Sequence, residues 1–234
     1  MNLVSSLSTF AINFANPKMV KFIMDKCTKS LGDNEYIINH LLYSVIKKRN
    51  IEILISLKPF LTKEIISNIN LHKAAERGHV EIVKSFLSHN QILAKEEDKF
   101  GNRPMLYAVT KNDIETVKVI ANYLNEDDLS EDTKSFHLAA RNGYHEILKF
   151  LCQKVTNPNI RDKNGDTPLH WAARFGHFEI VKLLSSYTSK VNVANYQGVT
   201  PIDFAKKNGY IEIANYLDRM AKKTKFSEID GNIS

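Results

Sequence analysis

Apolar residues along this chain recur at helical spacing in short bursts separated by polar turns. The clearest burst, Ile180, Val181, Leu183 and Leu184, predicts a helix from about His177 to Tyr187 with one apolar face. A shorter burst precedes it and ends at a glycine: Thr167, Pro168, Leu169, His170, Trp171, Ala172, Ala173, Arg174, Phe175, Gly176. Thr167 is a good N-cap, and Pro168 suits the first helical position, where a missing N–H costs nothing. Ala172 and Ala173 are small enough to let helices approach closely. Gly176 supplies the positive φ that ends a helix without a Cβ penalty. Asp162, Lys163, Asn164 and Gly165 form a turn ahead of this segment, and Tyr196, Gln197 and Gly198 form the next. The predicted unit is a turn followed by an antiparallel pair of helices.

The same phrase is written several times. Leu71, His72, Lys73, Ala74 and Ala75 lead through Gly78 to Glu81, Ile82 and Val83, and His137, Leu138, Ala139 and Ala140 lead through Gly143 to Glu146 and Ile147. Glu52, Glu81, Glu115, Glu146, Glu179 and Glu212 hold one equivalent position, at intervals of 29, 34, 31, 33 and 33 residues. A further step of 34 back from Glu52 reaches Lys18, where Ala11, Ile12, Val20, Lys21, Phe22 and Ile23 keep the apolar spacing. Seven units result, over about residues 5–219. One helix pair cannot bury its apolar face alone, so units of this kind stack into a quasi-one-dimensional core.

From Thr167 to Leu184 the phrase resembles the ankyrin repeat almost position for position. The resemblance implies an all-α fold, an ankyrin-repeat solenoid of about seven helix-turn-helix units with short β-turn fingers. Residues 1–33 are read as a degenerate N-terminal capping repeat, 34–219 as repeats two to seven of the same continuous solenoid, and 220–234 as a loosely attached C-terminal tail that first extends the last helix. Repeat two departs from the pattern, with Arg49 at the glycine position and Leu41, Leu42 and Tyr43 in place of Pro, Leu and His. Repeat four has Leu106 for the histidine and Asn112 for the glycine. Irregular turns are therefore expected in repeats one and two, and the best-formed structure in repeats five to seven.

Composition narrows the functional classes. At 43% apolar and 25% charged residues, the chain is too hydrophobic and too evenly charged for disorder. It has no run of eighteen apolar residues, so no membrane association is expected, and Met1 to Ala15 lack the Lys or Arg of a secretory leader. Cys27 and Cys152 are too few for a disulfide framework and fit a reducing compartment. A cytoplasmic location is expected, with the nucleus or non-classical export into a host cell as alternatives. The net charge of +6 and pI near 9.1 invite a nucleic-acid partner, but the cations are scattered among 26 acidic residues.

The chemistry-bearing residues point away from catalysis. His72, His137 and His170 share one repeat position. Packed helices lie about 8–10 Å apart, whereas zinc ligands place nitrogens about 2 Å from the ion, so parallel imidazoles cannot easily converge. The resemblance implies instead that these rings bond the Thr side chain and backbone around the turn. His79 and His177, which follow the turn glycine, are read in the same way. Cys27 and Cys152 fall in repeats one and five, too far apart to pair, and neither has a recognisable histidine partner. There is no nucleophile elbow, phosphate-cradling loop or zinc-hydrolase motif. The expectation is a non-enzyme without cofactor or metal.

The resemblance places ligand contacts on the turn tips and the exposed end of each first helix. The helix-end pairs are Lys47 and Lys48, Glu76 and Arg77, Thr110 and Lys111, Arg141 and Asn142, Arg174 and Phe175, Lys206 and Lys207; eight of the twelve are cationic and one is acidic. The tips add Lys99, Phe100 and Asn102, then Lys163, Asn164 and Asp166, then Tyr196, Gln197 and Val199. A basic groove with aromatic anchors Phe100, Trp171, Phe175 and Tyr196 suits an acidic peptide or domain surface. Two bland explanations compete: the helix dipole favours cations at helix C-termini whatever the function, and Trp171 can pack between repeats. The expected function is a monomeric protein-interaction scaffold or adaptor, binding another protein on its concave face. Nucleic-acid binding through the basic inner-helix stripe is the alternative. The resemblance also implies a modification target, since Asn192, after Val191, matches the placement of asparagines hydroxylated in ankyrin proteins.

Overall fold

The computed structural model describes residues 17–27, 42–43, 45–48, 50–57, 68–188 and 190–230. Ala11, Ile12, Leu41 and Arg49, which carry part of the reading of repeats one and two, lie outside the described residues, as do the side chains of Ile23 and Cys27. Among the described residues every regular element is helical.

The chain divides into two compact units, Met1–Lys111 with Glu115–Tyr123, and Asn112–Ile114 with Leu124–Ser234. The first unit holds α1 (Pro17–Cys27), α2 (Ile51–Leu57), α3 (Asn68–Glu76), α4 (Val80–His89), a 3-10 turn at Gln91–Ala94, α5 (Pro104–Thr110) and nearly all of α6 (Ile114–Ala121). Here α1 packs on α2, and α3 packs on both α4 and α5. The second unit holds α7 (Glu126–Glu131), α8 (Thr133–Asn142), α9 (His145–Cys152), α10 (Pro168–Phe175), α11 (Phe178–Ser186), α12 (Pro201–Lys207) and α13 (Ile211–Asp230). Inner helices α8, α10 and α12 pack in succession, and outer helices α9, α11 and α13 pack in succession behind them. Helix α13 runs on to Asp230, through most of the segment read as a tail.

Small residues sit where the helices touch. Ala74, Ala75, Ala139, Ala140, Ala172 and Ala173 are all fully buried, which lets neighbouring inner helices approach closely, while Ile147, Leu148, Ile180, Val181 and Leu184 fill the space towards the outer helices. The helix ends follow the local signals. Helix α10 starts at Pro168 after Thr167 and stops at Gly176, whose φ of 80° lies in the left-handed region. In repeat four Asn112 stands in for glycine at φ 55°, the conformation that asparagine tolerates better than other side chains.

Repeat five opens differently. Ahead of α8 the chain forms α7 in place of a turn finger, and Asn125 and Asp128 close a capping box, with side chain to backbone bonds of 2.7 and 3.3 Å. The local signal is an asparagine N-cap followed by the acidic first turn Glu126, Asp127 and Asp128, which the helix dipole favours.

Candidate functional site

Three fingers share one bonding pattern, set by a single side-chain oxygen. Oδ1 of Asp98 accepts the N–H groups of Phe100 and Asn102 at 2.8 and 3.0 Å. Asp162 does the same for Asn164 and Asp166 at 2.8 and 3.0 Å, and Asn195 for Gln197 and Val199 at 3.0 and 2.9 Å. The carbonyl closing each finger then accepts from an imidazole one repeat earlier. His72 Nε2 donates to Asn102 at 2.8 Å, His137 Nε2 to Asp166 at 2.8 Å, and His170 Nε2 to Val199 at 3.2 Å. Thr167 donates its backbone N–H to Nδ1 of His170 at 3.0 Å, so that nitrogen is the acceptor and the ring proton sits on Nε2. Burial holds the His170 imidazole below the ordinary histidine range, against the pull of the Asp166 carboxylate. His79 and His177 also bond backbone, at Ile46 and Arg141, over 2.7 and 2.6 Å.

An aromatic residue nine positions beyond the start of each finger, Tyr107, Trp171 or Phe204, meets the preceding imidazole edge-on. The Trp171 indole N–H donates to Asp162 at 3.1 Å and the Tyr107 hydroxyl to Asp98 at 2.5 Å. Burial pushes the Asp98 carboxyl up, but bonds from Tyr107 and from the N–H groups of Asn102 and Phe100 prevail and leave it below the usual carboxylate range. The surroundings of His72, His137 and His170 thus recur repeat by repeat, as one stacked motif requires.

On this frame sit the partner-binding residues expected from sequence. Lys111, Arg141, Asn142, Arg174, Phe175, Lys206, Lys207, Phe100, Lys163, Asn164, Tyr196 and Gln197 are all exposed. In the first unit Lys47, Arg77 and Lys111 line one cavity of about 520 Å³ with Glu76 and His79. In the second, Arg141, Arg174 and Lys206 lie at the ends of successive inner helices.

Their pairing differs from that of the outer helices. On the outer helices Lys84, Lys118 and Lys182 each bond a glutamate three residues back at 2.9 Å, and Lys222 bonds Asp218 at 2.7 Å. Among the described residues, Lys47, Arg77, Lys111, Arg141, Arg174, Lys206 and Lys207 form no ion pair within 4.0 Å.

A family model of ankyrin repeats in three copies matches residues 9–132 and 136–226. The chain belongs to the ankyrin-repeat family. It is 29% identical over 102 residues to inversin of Gallus gallus, and 30% identical over 105 residues to transient receptor potential cation channel subfamily A member 1 of Homo sapiens. It is 36% identical over 69 residues to the mitochondrial liver isoform of glutaminase of Mus musculus. These alignments take in 42%, 42% and 30% of this chain and 9%, 9% and 12% of those proteins. The chain therefore spans about a tenth of the length of the curated relatives it matches. Ankyrin repeats generally mediate protein–protein interaction, and the family is typically non-enzymatic.

Within the ankyrin surface the aromatic residues divide by role. Phe100 and Tyr196 stand out at the finger tips, 68% and 72% exposed. Trp171 is half-buried, with its N–H bonded to Asp162, its ring stacked on Phe175 of the same helix and edge-on to His137 of the preceding repeat, so it packs between repeats and is not a projecting anchor. Two contributors have no place in the sequence reading. Arg161 donates to the carbonyls of Gly165 and Ala194 at 3.0 and 3.1 Å and lies over the Tyr196 ring, tying adjacent fingers together. Phe204 lies under the Arg174 guanidinium at 5.2 Å. The register that aligns Phe204 with Trp171, 33 residues earlier, carried a signal for it; the residues aligned with Arg161, Glu97 and Ala194, carried none.

Cys152 is buried, and burial pushes its thiol up to about 12, which leaves almost no thiolate at neutral pH. Asn192 is exposed in the turn after buried Val191. Among the described residues no group of three or more His, Cys, Asp or Glu is arranged to hold a metal ion, and no helix is long and apolar enough to cross a membrane.

Proposed function

We propose that this ankyrin module is an interaction scaffold whose inner helix ends and finger tips form a concave face for a protein partner, and that the partner presents an acidic segment. The unequal pairing of the cations supports this. The helix dipole accounts for where Arg77, Lys111, Arg141 and Arg174 sit, but not for their lack of carboxylate partners among the described residues, where Lys84, Lys118 and Lys182 are paired on the outer helices. Unpaired like charges repel one another, and an approaching anionic surface relieves that repulsion while being steered towards it. Exposed aromatic rings stand at finger tips of each unit, Phe100 in the first and Tyr196 in the second. With its two cysteines and one buried unreactive thiol, the module suits the cytoplasm.

Affinity capture with mass spectrometry tests this, comparing the natural chain with a variant carrying Arg141→Glu, Arg174→Glu and Phe175→Ala. A protein retained by the natural chain and lost from the folded variant identifies both partner and surface. An identical set of captured proteins from the two would refute the assignment. Nucleic-acid binding is the competing reading, and it requires an affinity that falls steeply with salt, as several phosphate contacts dictate.

A further inference from the structure

We infer that Arg141, Phe175, Arg174 and Phe204 form a ladder that reads carboxylates at every third residue of an extended acidic peptide segment. It rests on the acidic-partner reading above and assigns the recognition to particular side chains. In this ladder the rings hold the guanidiniums, and the guanidiniums hold the ligand.

The base of the ladder is fixed from below. Trp171 is tied to Asp162 through its indole N–H and stacks on Phe175 with ring planes 12° apart. The Arg141 guanidinium carbon lies 5.1 Å from the Phe175 centroid and 5.8 Å from that of Trp171. One repeat later the Arg174 guanidinium carbon lies 5.2 Å from the Phe204 centroid and 6.0 Å from that of Phe175. All four distances fall within the range of cation–π attraction. A guanidinium held on ring faces keeps its in-plane N–H donors available, and neither arginine gives them to a carboxylate of the described chain. Those donors form the fork that matches a carboxylate bidentately, already oriented before the ligand arrives.

Spacing selects the ligand. The two arginines occupy the same position of adjacent repeats, 33 residues apart in sequence, on packed inner helices. Packed helices lie about 8–10 Å apart. A peptide in the polyproline II conformation rises about 3.1 Å per residue and returns the same face every third residue, about 9 Å on. Carboxylates three residues apart therefore meet successive rungs, and Lys207 on α12, 33 residues after Arg174, extends the series by one more repeat. Single-stranded nucleic acid needs open aromatic faces on which bases stack. Here Trp171 and Phe175 face one another and Arg141 lies over both, which favours the peptide.

Trp171 is the only tryptophan in the chain and lies against the ladder, so its emission reports on occupancy directly. The probes are a short peptide with glutamate at every third position and proline between, a peptide of identical composition with its glutamates contiguous, and an oligothymidylate. The third-position peptide is expected to shift Trp171 emission saturably and to bind about fivefold or more tighter than the contiguous one. Arg141→Lys keeps the charge but loses the fork, and Phe175→Leu keeps apolar volume but loses the π face. Each is expected to weaken binding about three- to tenfold, with the fold checked by far-UV circular dichroism, while Lys182→Gln on outer helix α11 leaves it unchanged. Equal binding of both peptides, undiminished in Arg141→Lys and Phe175→Leu, would overturn the ladder and leave the acidic-partner reading standing. Failure of both peptides to bind, or tighter binding of the oligothymidylate, would overturn both.

Discussion

Thr167 and His170 cap a helix locally and, through the same ring, tie it to the next repeat. The Thr167 N–H occupies Nδ1 at 3.0 Å, and this directs the Nε2 proton to the Val199 carbonyl, 29 residues further on, at 3.2 Å. A contact within one helical turn thereby sets the tautomer that a contact between repeats requires.

Removing that ring leaves the buried Thr167 N–H without its partner and strips the Val199 carbonyl of one of two donors, the Asn195 N–H at 2.8 Å remaining. His170→Ala is expected to destabilise the second unit by about 2–4 kcal/mol, from the unpaired Thr167 N–H, the lost bond between repeats and the lost packing. Urea unfolding followed by circular dichroism measures this; a change of only a few tenths would mean that the finger holds without its histidine.

The same group gives stability a pH dependence of known sign. Burial lowers the His170 pKa in the folded chain below its ordinary value of 6.5, so the unfolded chain takes up the proton first as pH falls. The contribution is complete above about pH 6.5 and is lost on acidification below it, by at most about 1.4 kcal/mol per pH unit. Urea midpoints taken between about pH 7.5 and pH 5.5 should fall with acid less steeply in His170→Asn than in the natural chain. Parallel slopes would exclude His170 as the source.

Gly176 and Asn112 predict opposite effects at equivalent turns. At Gly176 φ is 80°, and an added Cβ would lie 2.5 Å from the Tyr210 ring, so Gly176→Ala should cost about 1–3 kcal/mol. Asn112 already occupies the left-handed region at φ 55°, so Asn112→Gly should be neutral or stabilise by up to about 1 kcal/mol. Thermal or urea unfolding of the two variants checks the signs.

Cys152 should be silent towards thiol reagents until the chain opens. It is 1% exposed, with its thiol pushed up to about 12 by burial. Peptide-resolved mass spectrometry after alkylation is expected to show Cys152 unmodified in native buffer at neutral pH and fully modified in urea. Rapid native labelling of that peptide would mean that α9 opens readily.

Much of the frame was legible because its signals are local. Thr167, Pro168 and Gly176 mark where one helix begins and ends through cap and φ preferences within a single turn, and the recurrence of Glu81, Glu115, Glu146, Glu179 and Glu212 marks the period. Asn125 and the acidic residues after it are a signal of the same kind for α7, hidden by the expectation that every repeat opens with a finger.

Sequence alone determined the helix pairs, their register and the cations at the inner helix ends, since these depend on each residue and its near neighbours along the chain. Only the tertiary structure decided that Trp171 meets the His137 ring, that Arg161 ties two fingers, and that Arg141 and Arg174 lie on aromatic faces with no carboxylate partner among the described residues. Those contacts join residues about one repeat apart in sequence, or lie on surfaces shaped by the neighbouring repeat. Which side chain meets which is fixed by how the helices stack, and no local preference carries that information.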